Sequence, residues 1–349
     1  MHQLVTNLKT FLLAAFGGVL FYQLQIPLAW MLGPLSAVVI RGQIQKKRQA
    51  FPLSVRNAAL VALGYLIGKA FTAEAAAQIF AQLPVMLLVT VAILLISMIF
   101  GYVTHRRTGI SFSTGMLGSV PGGFSQMVLM SEEMDDADVS VVSFMHTLRL
   151  LSVVFIVPYL ATQAAGGFDA GIPTDATVKT MIAWAPIPAS AFPVLTIAMI
   201  AALIGHKINL PTPFLMGPIL AGAALSLSGF FCPSLPSWLT ILCQISVGTY
   251  MGVKIELASL SNWRSLAAYT LLGVIAVLIA SLGIAFMLSD HYGYSNVTSF
   301  LSMAPGGIAE MSVTGIALGA DLSVIASYQI FRLFFILLLT PILFRRWLK

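Results

Sequence analysis

Charge is what this sequence has least of. Its 349 residues include 18 Lys+Arg and 12 Asp+Glu, 9% in all, whereas a soluble domain averages about 25%. Thirty charged side chains, 18 plus 12, cannot coat a soluble protein of this length, and a 58% hydrophobic content excludes a disordered chain. Cysteine is equally scarce. Cys232 and Cys243 are the two present, without C-x-x-C spacing, which excludes a disulfide framework. The five histidines (His2, His105, His146, His206 and His291) are scattered, and no motif joins them. No metal-ligand set and no cofactor motif is therefore expected.

What the chain does have is apolar runs of ~15–25 residues, the length needed to cross a ~30 Å hydrocarbon core. Barrel strands would alternate apolar and polar residues. The expectation is an all-α polytopic membrane protein whose first apolar run is retained as a helix. The formal charge of +6 does not imply direct nucleic-acid binding. Its densest stretch, Arg41, Lys46, Lys47, Arg48 and Arg56, is a short loop beside apolar spans. Cytoplasmic loops of membrane proteins carry such charge.

The sequence repeats itself. IPLAWMLGP (26–34) resembles LPTPFLMGP (210–218), with Pro27/Pro211, Gly33/Gly217 and Pro34/Pro218 each 184 apart (for example 217−33). The same offset relates Gly64 to Gly248, Gly68 to Gly252, and SVPGGFSQM (119–127) to MAPGGIAEM (303–311). After a one-residue slip, an offset of 183 relates Asp138 to Asp321, Arg149 to Arg332 and Pro158 to Pro341. A colinear series of this kind marks two homologous halves. The first repeat is 1–163, a Gly/Ala/Thr-rich linker covers 164–183, and the second repeat is 184–349.

Helices are predicted over 8–25, 27–41, 54–71, 84–104 and 139–162, and over 184–204, 211–230, 236–253, 264–288 and 323–343. One segment per half remains, 111–131 and 297–318, each containing Pro-Gly-Gly. Proline removes a helix hydrogen bond and glycine relaxes the backbone, so these segments should be broken. If the breaks re-enter, each half crosses five times and the second is inverted. Lys207, Lys254 and Arg264 then lie inside and only Lys179 outside; a parallel arrangement reverses all four. The positive-inside rule favours the inverted five-plus-five arrangement, with both termini cytoplasmic.

The paired motifs GSVPGGFSQM…DADVSVVSFMHTLRLL and MAPGGIAEM…GADLSVIASYQIFRLF, with the twin Gly-Pro helices, resemble the bacterial AbrB-type membrane family. Members carry regulator labels (AbrB, AidB) or an ammonia monooxygenase label. The resemblance covers nearly the whole chain. It implies a multi-pass protein of the bacterial inner membrane and supplies no catalytic residues.

Site candidates therefore come from the residues themselves. Inverted repeats with interrupted helices mark secondary transporters, with the substrate site at the breaks. The candidates for substrate binding are Pro121, Gly122, Gly123, Ser125 and Gln126, and Pro305, Gly306 and Gly307. Kinks for tight packing are the structural alternative. Arg149 and Arg332 each fall about ten residues into a predicted helix, near mid-membrane by the ~1.5 Å rise. A guanidinium there either binds an anion or satisfies a broken helix's carbonyls or an acid. Glu310, whose counterpart Gln126 is neutral, is a candidate for proton or cation coupling, or else a salt-bridge partner of an arginine. His146, three residues before Arg149, is a second coupling candidate or a packed histidine. Asp138 and Asp321 are expected as helix caps.

The expected function is secondary transport of a small organic anion by alternating access, without enzymatic activity. A membrane-embedded regulator acting through a partner protein is the alternative. A membrane monooxygenase, which needs clustered ligands, is least favoured.

Overall fold

Apolar sequence without strand-like alternation folds into helices, and the computed structural model contains fourteen of them among the described residues, with no strand. The described residues are 2–24, 26, 28–45, 51–164, 186–254 and 263–347. The linker, apart from Ala164, lies outside them, as does Lys179. In the first repeat the helices are α1 (His2–Gln23), α2 (Ala29–Gln45), α3 (Leu53–Gly68), α4 (Ala73–Thr108), α5 (Phe112–Ser119), α6 (Phe124–Glu132) and α7 (Val139–Ala164). In the second they are α8 (Ala191–Lys207), α9 (Pro213–Leu227), α10 (Ser237–Lys254), α11 (Trp263–Tyr292), α12 (Asn296–Met303), α13 (Ile308–Ala317) and α14 (Leu322–Trp347).

The architecture is that of a helical multi-pass membrane protein. Among the described residues, four helices are long and apolar enough to cross a bilayer: α4, α7, α11 and α14 through Thr340. Four more are apolar but shorter: α3, α8, α9 and α13. The 16 residues of α3 span only about 24 Å.

The helices group into two compact units. One comprises Met1–Gln78, Thr162–Ile255 and Ser312–Ser323. The other comprises Ile79–Ala161, Glu256–Met311 and Val324–Lys349. Each unit draws corresponding pieces from both repeats.

In the first unit α1 packs on α2 and α8 on α9, while α3 packs on α9 and α10 on α2. Glycines set these contacts. A Cβ on Gly64 would stand 2.6 Å from the Leu215 carbonyl oxygen of α9, and one on Gly252 would stand 2.8 Å from the Leu35 carbonyl oxygen of α2. Gly248 meets the Met31 carbonyl in the same way. The offset that pairs the glycines also pairs their partners (215−31 = 184). Small residues that let helix backbones touch are the usual device for packing in lipid.

The second unit holds both Pro-Gly-Gly breaks. Ser111 and Ser295 start α5 and α12, each side-chain oxygen accepting from the N–H of Thr114 or Thr298 at 3.1 Å. Val120 (ψ 126°) and Ala304 (ψ 138°) turn to extended backbone and end those helices. Helices α6 and α13 then begin after Gly123 and Gly307. Gly122 (φ +140°) and Gly123 (φ +63°) occupy left-handed backbone that a side chain would strain. A core of Leu94, Leu117, Met127, Val142, Ile336 and Phe344 packs the first break against α4, α7 and α14.

Candidate functional site

Ending a helix inside an apolar protein exposes carbonyls that have no intrahelical partner. Breaking α5 after Ser119 and α12 after Met303 creates this problem twice, and an arginine answers it each time. Arg149 is the eleventh residue of α7 (149−139+1), and Arg332 is the eleventh of α14 (332−322+1). Arg332 is 5% exposed. Its Nη1 donates to the Met303 carbonyl at 2.9 Å, its Nη2 donates to the Ala304 carbonyl at 2.7 Å, and Nη2 also donates to the Gln329 side-chain oxygen. The Nε2 of Gln329 in turn donates to the Leu301 carbonyl at 2.8 Å and the Ala304 carbonyl at 3.1 Å. A cation at a helix C-terminus also complements the dipole there.

The first repeat reproduces the scheme with one substitution. Arg149 Nη1 donates to the Val120 carbonyl. Its Nη2 lies 2.9 Å from His146 Nδ1, and His146 Nε2 lies 3.0 Å from the Leu117 carbonyl. The carbonyl can only accept and the guanidinium can only donate. His146 is therefore the neutral tautomer with its proton on Nε2. Phe124 packs edge-on against the ring at 5.6 Å. Leu117 and Val120 match Leu301 and Ala304 at the offset of 184, and His146 matches Gln329 at 183.

The two arginines differ in exposure. Arg332 is buried with three hydrogen bonds, whereas Arg149 is half-buried and makes two, leaving further N–H donors on a group that has five. Arg149 lines a cleft with Ser97, Thr104, Ser119, Tyr269 and Pro305. The cleft is narrow, with room for about two waters. Pro305 brings the second break beside Arg149. A methyl on Gly122 would stand 3.3 Å from Ile336, so the first break lies against the helix that carries Arg332. Among the described residues, the hydrogen-bond partners of both guanidiniums are backbone carbonyls, an imidazole and a side-chain amide, and none is a carboxylate.

The remaining candidates are placed as follows. Glu310 is the third residue of α13, and its carboxylate lies against Gly307 just before that helix. This is where the acid of a capping box sits. Gln126 holds the same position in α6. The Ser125 side chain lies outside the described residues. Pro121 and Pro305 are buried, and Gly307 is exposed. Asp138 Oδ1 caps α7 through the N–H groups of Ser140 (2.8 Å) and Val141 (3.2 Å), and Asp321 Oδ1 caps α14 through Ser323 N–H (2.9 Å).

Sequence reasoning did not find the receiving carbonyls, because a backbone oxygen leaves no mark in a sequence. It also missed a triad in which Gln82 Nε2 donates to Tyr294 (2.5 Å) and the buried Tyr328 donates to Gln82 Oε1 (2.9 Å). The repeat held a signal. The offset-related residues Leu266, Ile110 and Met145 form one apolar cluster, so the triad is a polar departure from the repeat.

A family model described as "Transition state regulatory protein AbrB" matches residues 30–348. The chain is 31% identical over 331 residues to "Putative regulator AbrB" of Escherichia coli (strain K12), covering 93% of this chain and 91% of that protein. It is 26% identical over 262 residues to "Uncharacterized protein YhjN" of Bacillus subtilis (strain 168), covering 72% of this chain and 68% of that protein.

Proposed function

The chain belongs to the AbrB membrane family, and from that premise we propose that it is a secondary transporter of a small organic anion, working by alternating access. One observation carries this reading: among the described residues, two neighbouring guanidiniums within the helical core have no carboxylate among their hydrogen-bond partners, and one of them lines a cleft. Uncompensated positive charge in an apolar medium costs several kcal/mol. A carboxylate entering the cleft lowers that cost and takes two hydrogen bonds from a guanidinium. Arg149 is the binding group. Arg332 holds the second break in shape.

The narrow cleft fits a state closed around the site. Opening it to either side of the bilayer in turn is alternating access. The topology that serves this is the inverted one, with five crossings per half, re-entrant breaks and both termini in the cytoplasm of a bacterial inner membrane. No covalent chemistry is required of any residue.

The test is uptake of radiolabelled formate, acetate and succinate into liposomes holding the purified protein. Wild type accumulates at least one of them against protein-free liposomes, and Arg149→Ala does not. Equal uptake by both removes the anion site. The Escherichia coli relative's printed name favours a second reading, a membrane-embedded regulator acting through a partner protein. That reading predicts no uptake of any solute and a stable co-purifying partner.

A further inference from the structure

We propose that His146 is the proton site coupled to anion binding at Arg149, and that Gln329 is its non-titrating counterpart. The inference rests on the transporter reading of the site. It follows from the bonds that the two side chains make. Each accepts from the arginine three residues later and donates to the carbonyl of Leu117 or Leu301. Gln329 performs both tasks with an amide that never changes charge. His146 performs them only while neutral, because Nδ1 accepts from Arg149 through its lone pair.

Protonation at Nδ1 ends that acceptance. The proton comes from water, no covalent bond breaks, and the ring becomes a cation with two N–H donors. It then repels Arg149 instead of holding it. The Nη2 hydrogens that pointed at Nδ1 are released to another acceptor. Two adjacent cations in a buried site are costly unless an anion arrives. A carboxylate accepts from the freed guanidinium and offsets the charge that the proton added. Anion binding thus favours proton binding, and by linkage the proton favours the anion equally. The pair loads one proton with one negative charge.

The other charged or titratable groups around the pair leave this logic intact. Arg332 on α14 holds the Ala304 carbonyl, next to the Pro305 that lines the cleft. Tyr269 of α11 lines the same cleft. Glu310 of α13 folds back on Gly307 at the second break. Phe124 of α6 and the Leu117 carbonyl of α5 are the uncharged neighbours of the ring.

The experiment is a ring-nitrogen NMR titration of full-length, histidine-labelled protein in lipid nanodiscs. It is run from alkaline to acidic pH with formate, acetate or succinate, and ionic strength is held with bulky gluconate. In alkaline buffer His146 shows the Nε2–H tautomer. With at least one of the three anions, its second protonation moves to higher pH by about one unit, which corresponds to a tenfold coupling. A midpoint that none of the three moves overturns the coupling. The transporter reading then still stands if liposome uptake depends on Arg149, so the two failures are distinguishable. His146→Gln installs the residue the second repeat already uses. Its uptake is expected to lose the pH dependence that wild type shows. A wild-type pH dependence in that variant overturns the assignment.

Discussion

The Nδ1 atom of His146 accepts a hydrogen bond from the Arg149 guanidinium at 2.9 Å, in the position where Gln329 offers Arg332 an amide oxygen. The pairs show how a duplicated sequence holds one geometry with two chemistries. Both arginines end a broken helix, and Arg149 also lines a cleft and leans on a titratable partner.

That asymmetry separates the two arginine variants. Arg332→Ala strands the Met303 and Ala304 carbonyls and the Gln329 oxygen in a buried site. Each unsatisfied group costs about 1–3 kcal/mol, so the variant is expected to lose several kcal/mol and fold poorly. Arg149→Ala frees one carbonyl and the imidazole in a half-exposed setting and is expected to fold while losing anion uptake. Thermal unfolding in detergent, read beside uptake, checks both. Equal unfolding temperatures for the two variants contradict the division of roles.

The two breaks should respond differently to alanine. Gly123 lies at φ +63°, where a Cβ costs about 1–2 kcal/mol whatever surrounds it. Gly307 has no such backbone, but its Cβ would collide with the Glu310 carboxylate. Gly307→Ala is therefore expected to push the Glu310 carboxylate aside at a modest cost, and to cost less still when combined with Glu310→Ala. Gly123→Ala is expected to show no relief from Gln126→Ala. Additive effects at Gly307 and Glu310 in the double-mutant cycle contradict the predicted contact.

These features divide by how far the sequence reaches. The ten helices outside the breaks were legible, because long apolar runs have no other way to satisfy their backbones in lipid. The site of each break was legible too, since Pro-Gly-Gly at 121–123 and 305–307 cannot continue a helix. Arg149 and Arg332 were visible as misplaced charges, and carbonyl capping was one of the readings their position allowed. Which arginine faces the cleft was not legible. It depends on Ser97, Tyr269 and Pro305, which are distant in sequence, and on receiving carbonyls that every residue possesses.

The triad offers a stability test that the repeat itself designs. Gln82→Leu takes from the buried Tyr328 hydroxyl the oxygen it donates to, at about 1–3 kcal/mol. Changing all three together, Gln82→Leu, Tyr294→Ile and Tyr328→Met, installs the residues found at the offset-related positions Leu266, Ile110 and Met145. The triple variant is expected to recover most of the loss in unfolding temperature. A triple variant less stable than Gln82→Leu contradicts the equivalence.

Orientation has its own check. In the inverted arrangement, cysteines placed at Lys207 and Lys254, both exposed, react with a membrane-impermeant maleimide only after the cytoplasmic face is opened. Labelling from outside intact cells contradicts the inversion.

The most direct measurement is the position of a bound anion. A structure determined with 3-bromopropionate, the bromine located by its anomalous scattering, is predicted to show the carboxylate hydrogen-bonded to Arg149 in the cleft beside Ser119 and Pro305. A bound carboxylate elsewhere in the protein, with the Arg149 cleft empty, contradicts the account.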